Sequence, residues 1–326
     1  MTVVPPWAAE KVLLSLYVLL LTGSMLYALH ALRPEPGPAW LLPFPLVYNF
    51  PLHMGFYSFS LGVPLSLFAV GYVLRRRDRF DLRDVAALAV LLTLLYFAHL
   101  LTLALAVMAI GIVTAWRARR AVAATGEEQG SGDGRGAWQA VSGPLLAVLP
   151  AAILAASHVL RGRFTAWLAA VGVLSAVCVG VALLAGFAGT GRPLPAWLRA
   201  AIGSRATMPV VATAPTLLLL ALVAGDAAFI GGIQAGPAPL LRLQRIWGVD
   251  ALRSFRAVEG GVAIAFGALL AGVGLYHATA AVVHRRRAAV RDGLGWLFVA
   301  FVSLYLVAPN GLLGGGYVLP RLGLYV

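Results

Sequence analysis

Long apolar runs alternate along the chain with short segments rich in arginine, proline and glycine. A helix needs about 20 apolar residues to cross a bilayer core, and about 17 are enough. The pattern predicts an all-α fold, a polytopic transmembrane bundle of about 9–10 helices with re-entrant or interfacial outer loops, forming one membrane domain over residues 1–326. The predicted spans lie near 12–31, 55–74, 84–98, 100–116, 143–160, 164–187, 208–225, 262–284 and 294–308, and a tenth helix is expected to start near 322.

The apolar run from Asp84 to Trp116 is longer than one crossing needs and short for two. Basic segments flank it on both sides, at 75–83 and 116–120. Because basic loops collect on the cytoplasmic side, the chain between them must cross the membrane an even number of times. The sequence therefore predicts two helices here, with a turn near Phe97, Ala98 and His99.

The distribution of basic residues also predicts the orientation of the chain. With a cytoplasmic N-terminus, most of the 25 Lys and Arg residues fall in inner segments. The protein is predicted to lie in the plasma (cell inner) membrane. In this orientation, residues 117–142 form a flexible cytoplasmic loop that contains the Gly-rich stretch GEEQGSGDGRG. Residues 226–261 become an extracytoplasmic loop.

Composition excludes several other classes of protein. With 61% hydrophobic and 11% charged residues, the chain is too apolar for a soluble globular domain. The net charge of +13 comes from short loops between apolar runs, which argues against nucleic-acid binding. The single Cys178 excludes an intrachain disulfide. The six histidines lack metal-ligand spacing, so neither a metal site nor a cofactor is predicted.

The stretch YNFPLHMGFYSFSLG, residues 48–62, is unusually polar and aromatic for the entry to a hydrophobic span. In the predicted topology it ends an outer loop, Arg33 to Met54, that dips back toward the bilayer and is broken by three prolines. One interpretation is an aromatic belt at the membrane interface. The other is a cavity wall with Asn49, His53 and Tyr57 facing substrate.

The outer loop at 226–261 contains an arginine-rich segment, LLRLQRIWGVDALRSFRAVE. If it is one helix, its four arginines share an arc of about 80°, opposite to Leu240 and Leu243. They are Arg242, Arg245, Arg253 and Arg256. Such a helix lies in the membrane interface against anionic headgroups, or forms a phosphate clamp, for which the guanidinium fork is suited.

Carboxylates are scarce, and none lies at mid-depth in a predicted span, which argues against an ion-coupled transporter. A transferase acting on a hydroxyl group needs a general base. The outer candidates are Glu35, Asp226 and Glu259, for which an ordinary salt bridge in a loop or at a helix end is the alternative.

Four stretches together resemble the GT-C class of bacterial membrane-embedded glycosyltransferases. They are AAEK before the first span, YNFPLHMGFYSFSLGVPL, LLYFAHLLTLAL, and LYLVAPN with the following GGGYVLPRL. The resemblance implies transfer of a sugar from a polyprenyl-phosphate donor at the extracytoplasmic face, with an Asp of the first outer loop as base. That loop contains Glu35 but no Asp in this chain, so Glu35 is its only candidate.

On this hypothesis the arginines Arg242, Arg245, Arg253, Arg256 and Arg321 bind phosphate, and Asn49, His53 and Tyr57 line the acceptor cavity. The final RLGLYV resembles the first turns of a span, so a truncated enzyme is expected. The alternative is a non-enzymatic membrane protein that contacts membrane lipids, such as a permease, a lipid-binding protein or an assembly scaffold.

Overall fold

The computed structural model describes residues 5–32, 41, 43–76, 80–127, 237–247, 294–308, 310, 317–322 and 324–325, with short pieces at 144, 148, 196, 252, 260–261, 263–269 and 272. The longer helices are α1 (Pro6–Leu32), α2 (Pro43–Val47), α3 (Phe50–His53), α4 (Tyr57–Arg75), α5 (Leu82–Ala98), α6 (Leu100–Glu127), α7 (Pro239–Trp247), α8 (Leu294–Val307) and α9 (Val318–Leu322).

Three of these helices are long and apolar enough to cross a membrane, over Trp7–Leu32, Tyr57–Arg75 and Leu100–Arg120. They agree with the prediction of a helical membrane protein, and α5 and α8 also fall on predicted spans. The spans predicted at 143–160, 164–187 and 208–225, and most of 262–284, lie outside the described residues. The chain forms two compact units, one with α1, α2, α4, α5 and the start of α6, the other with α3, α7, α8 and α9.

Helices α1 and α4 pack side by side and run parallel. Tyr57, at the start of α4, bonds to Glu10, near the start of α1. Further along both helices, the rings of Tyr27 and Phe68 lie 5.7 Å apart. Near the far ends, a Cβ on Gly71 would lie only 3.1 Å from the Cα of Ala28, so the absence of a side chain permits the close approach.

This parallel packing contradicts the predicted outer loop between the first two spans. A loop from Arg33 to Met54 on one side of the membrane would make the helices antiparallel and bring Tyr57 beside the end of α1. Instead, Tyr57 lies at the Glu10 end, and α1 extends about 33 Å between Glu10 and Leu32. The chain between Leu32 and Tyr57 therefore returns from one end of α1 to the other, and its described residues include the short, proline-containing helices α2 and α3.

Helices α4 and α5 form an antiparallel hairpin. At one end, the hydroxyl of Tyr72 donates to Oδ1 of Asp84 over 2.7 Å. Asp84 also accepts from the backbone N–H of Asp81 at 3.0 Å and pairs with Nε of Arg76 at 3.2 Å. At the other end, the Phe59 ring meets the His99 ring edge-on at 5.3 Å. The buried Asp84 thus ties both helices to the basic turn that joins them.

The predicted turn near His99 is confirmed, because α5 ends at Ala98 and α6 starts at Leu100. His99 has an extended backbone between the two helices. Because His99 contacts Phe59 and Thr102 contacts Gly62, the first turn of α6 runs in the same direction as α4. Helix α6 continues to Glu127, into the loop predicted at 117–142, and the rest of that loop lies outside the described residues. Arginine and alanine are strong helix formers and favour this extension.

In the second unit, α7 packs on α8, and α9 packs on both α8 and α3. The rings of Phe301 and Tyr325 stack at 5.4 Å. A tenth helix was predicted to start near 322, but α9 ends at Leu322 and a turn follows, in which the N–H of Tyr325 donates to the carbonyl of Leu322 over 2.9 Å. This ring stacking holds the turn against α8.

Candidate functional site

The first polar site lies at the start of α1 and α4. The Tyr57 hydroxyl donates a 2.7 Å hydrogen bond to Oε1 of Glu10. The Glu10 side chain is exposed and Tyr57 is half-buried. Tyr57 was a predicted site residue, but Glu10 was not, because the predicted orientation placed it in the cytoplasm. The sequence could have pointed to Glu10, because it is an acid within the first turns of an apolar helix.

Further polar groups lie at the same end of the first unit. The His99 ring packs against Phe59, two residues after Tyr57, and its Nδ1 accepts from the backbone N–H of Leu101 at 3.2 Å. Nζ of Lys11 lies 5.4 Å from the centre of the Trp7 ring. A carboxylate, a phenol, an imidazole and an ammonium group therefore lie at one end of the first unit, where α1 and α4 begin and α5 is followed by α6.

Asn49 and His53 both belong to α3 but differ in exposure. Asn49 is 2% exposed, and its Oδ1 accepts from the backbone N–H of Leu52 at 3.0 Å. This is a helix N-cap, which satisfies a donor that the short helix would otherwise leave unpaired. His53 ends the helix and is exposed. In this segment, the exposed side chain is that of His53, while Asn49 fixes the start of α3.

Arg242 joins α7 to the C-terminal end of α8. Its Nη1 donates to the carbonyls of Leu306 at 2.7 Å, Ala308 at 2.8 Å and Tyr305 at 3.3 Å. Nε donates to the carbonyl of Pro237 at 2.7 Å. The last carbonyls of a helix lack partners within it, and a guanidinium satisfies several at once. Arg242 is 7% exposed, and this burial lowers the pKa of its guanidinium.

The other side chains of α7 face away from α8. Leu240 is 71% exposed, and Leu243 and Arg245 are also exposed. The sequence predicted Arg242 and Arg245 on one face of this helix, but Arg242 faces the protein, whereas Arg245 is exposed like the leucines. The helix ends at Trp247, before Gly248. The helix predicted through the whole arginine-rich segment is therefore described only as far as Trp247.

Arg321 lies on α9, which packs against α3, and burial lowers the pKa of its guanidinium. Tyr317, directly before α9, has a φ of 60°, a left-handed conformation that is strained for a bulky side chain. Its ring lies 6.2 Å from the ring of Phe50 at the start of α3. Tyr317 was not among the predicted site residues, although it directly follows the GGG stretch in the sequence.

Consecutive packed helices in the second unit thus carry His53, Arg321, Arg242 and Arg245. The other predicted site residues, Glu35, Asp226, Arg253, Arg256 and Glu259, lie outside the described part of the chain. No protein-family profile, curated protein or solved structure matches this chain.

Proposed function

We propose that the protein is a GT-C-like transferase of the plasma membrane that moves a sugar from a polyprenyl-phosphate donor to an acceptor at the extracytoplasmic face. The observation that carries this proposal is the parallel packing of α1 and α4, which requires the chain between them to return to the Glu10 end of α1. The described part of that connection includes the short, proline-containing helix α2, which packs on α1. Non-helical chain at membrane depth is stable only against protein or a water-filled cavity, and such a connection beside apolar helices suits a substrate with a lipid tail and a polar head.

Arg245 and Arg321 supply the recognition of phosphate. Arg245 extends from α7, and Arg321 lies on the helix that packs against α3. Arg242 acts by holding α7 on the end of α8, since its Nε and Nη1 donate to carbonyls. Arg253 and Arg256 extend the same basic segment. His53 faces the acceptor, and the candidate bases include Glu35, Asp226 and Glu259.

Donor binding tests the proposal directly. The protein in lipid nanodiscs is titrated with a polyprenyl phosphate, and transfer is followed with a polyprenyl-phosphate hexose labelled in the sugar. Arg245→Ala and Arg321→Ala should each weaken binding about tenfold, because a hydrogen bond to a charged group contributes about 1.5–3 kcal/mol. Arg83→Ala is the matched control, since Arg83 is exposed like Arg245 but lies beside the α4–α5 turn.

Two results would oppose the proposal. Equal binding of the polyprenyl phosphate and of a neutral polyprenol would show that the arginines do not recognise phosphate. Binding without release of labelled sugar to any acceptor fraction would favour a lipid-binding protein or scaffold.

A further inference from the structure

We propose that Glu10 is the general base for the acceptor hydroxyl and that Tyr57 positions it, with both residues at the extracytoplasmic face. This inference rests on the proposed function and adds to it a residue and a location. It starts from the 2.7 Å hydrogen bond between the two side chains, which belong to different helices and stand 47 positions apart in the chain.

The first step of the argument is the direction of the helices. Tyr57 begins α4. Around the turn that follows, Arg75 and Arg76 lie at the end of α4, and Arg83 and the buried Asp84 lie at the start of α5. A basic turn of this kind marks the cytoplasmic side. The 19 residues of α4 reach across the bilayer, which places Tyr57 on the opposite side.

The second step follows from parallel packing. Glu10 contacts Tyr57, so the start of α1 lies on the extracytoplasmic side with it. The predicted cytoplasmic N-terminus is therefore replaced in this proposal by an extracytoplasmic one. The first turns of α1 contain a single basic side chain, Lys11, whereas Arg75 of α4 lies 5.5 Å from the ring of Tyr27 near the other end of α1.

The chemistry of the pair suits a base. The Tyr57 hydroxyl occupies Oε1 and fixes the plane of the carboxylate, which leaves Oε2 to accept a hydrogen bond from an acceptor. Glu10 is exposed, so a substrate in the interface reaches it. A catalytic base must stand within hydrogen-bond distance of the proton that it removes, and an anchored, accessible carboxylate meets that condition.

The proposed step is balanced as follows. The acceptor oxygen forms a bond to the anomeric carbon of the donor sugar while its proton passes to Oε2 of Glu10. The bond between the anomeric carbon and the donor phosphate oxygen breaks, and its electron pair stays on the polyprenyl phosphate. Glu10 then returns its proton to solvent at the extracytoplasmic face.

The kinetic test uses the labelled polyprenyl-phosphate hexose with the full chain in nanodiscs. Glu10→Gln should lower kcat by about 10²–10⁴-fold, the usual range for a general base, and leave the Kd for polyprenyl phosphate unchanged. In Glu10→Ala, added formate should restore part of the rate. Tyr57→Phe should lower kcat about tenfold, as expected for a positioning residue. Asp81→Asn, at the α4–α5 turn, is the matched control and should keep the wild-type rate.

The location is tested separately in intact cells. In a Cys178→Ala background, Ala9→Cys should react with a membrane-impermeant maleimide added outside, whereas Leu82→Cys should react only after permeabilisation. Protection of Ala9→Cys from outside reagent would overturn the inference.

Wild-type transfer by Glu10→Gln would overturn the base assignment and leave the proposed function standing. A wild-type protein that transfers no sugar would refute the proposed function, and the base assignment with it, while the labelling still fixes the side of Glu10.

Discussion

The hydroxyl of Tyr57 donates a 2.7 Å hydrogen bond to Glu10, 47 positions earlier in the chain. This contact fixes the direction of α4 relative to α1 and brings a carboxylate to the polar-aromatic stretch that begins at Tyr48. Since Glu10 is exposed, the bond contributes little to stability. The value of the pair therefore lies in the position it gives to the carboxylate.

This small contribution leads to the first prediction. Tyr57→Phe should shift the midpoint of thermal unfolding by no more than about 1 °C in detergent, because solvent competes for an exposed hydrogen bond. The midpoint is measured by loss of the monodisperse peak on size-exclusion chromatography after heating. A large loss of stability would show that the hydroxyl has a structural role and that any loss of activity in this variant has another cause.

The close approach of α1 and α4 at Gly71 gives the second prediction. A Cβ there would lie 2.9 Å from Cδ1 of Tyr27 and 3.1 Å from the Cα of Ala28, so Gly71→Ala forces the helices apart. We expect a loss of about 1–3 kcal/mol, the usual cost of overpacking. Gly111→Ala is the control, since a Cβ at Gly111 meets no atom within 4 Å. Thermal unfolding of both variants decides, and equal stability would contradict the parallel packing.

The contact of Gly62 with Thr102 gives the third prediction. A Cβ on Gly62 would lie 2.9 Å from Cγ2 of Thr102 and still closer to its hydroxyl. Gly62→Ala should destabilise the protein, and Thr102→Ala in the same chain should recover part of the loss. A double-mutant cycle on unfolding free energies should give a coupling of about 0.5–3 kcal/mol. Additive effects would mean that the start of α6 does not pack on α4.

The buried carboxylate of Asp84 gives the fourth prediction. Its removal in Asp84→Ala leaves the Tyr72 hydroxyl and the N–H of Asp81 without their acceptor, at a cost of about 1–3 kcal/mol for each group that remains buried. Arg76→Ala should cost no more than about 1 kcal/mol, because the Arg76 side chain is 54% exposed. Chemical denaturation in mild detergent separates the two. A larger effect of Arg76→Ala would reverse this ranking.

The link from Arg242 to α8 gives the fifth prediction. Lysine lacks the planar fork that reaches several carbonyls, so Arg242→Lys should fray the end of α8. Hydrogen exchange should accelerate at the amide of Ala308, which donates to the carbonyl of Leu304 over 2.8 Å. Arg245→Lys is the control, because Arg245 is exposed. Unchanged exchange in Arg242→Lys would show that the cap is not needed.

The sequence predicted the helices better than their arrangement. The turn at His99 could be predicted because basic segments on both sides demand an even number of crossings. The return of the chain between Leu32 and Tyr57 could not, since hydropathy identifies a crossing by an unbroken apolar helix and Pro43, Pro45 and Pro51 interrupt this stretch of sequence. Once that segment was taken for a loop, every later assignment of sides to Glu10 and Tyr57 followed from it.

The candidate site shows the same limit. The pattern of α7 placed Arg242 and Arg245 on one face, but periodicity does not tell which side chains contact protein, and Arg242 is the buried one of the two. The carbonyls that bind Arg242 belong to α8, 63 to 66 positions further along the chain, and no local pattern contains them. Likewise, Glu10 gained a role only through a contact between helices. Asn49 was recognised as polar, but its use as a helix cap depends on the break before α3.

The parallel pairing of α1 and α4 also sets an order for biogenesis. Two consecutive spans of opposite direction can pair as soon as both are made, whereas Ala28 of α1 packs on Gly71, near the end of α4. The pairing surface on α4 is complete only after residues 33–56 and most of α4 have been synthesised. The contact between α1 and α4 is therefore a late step in the insertion of this part of the chain.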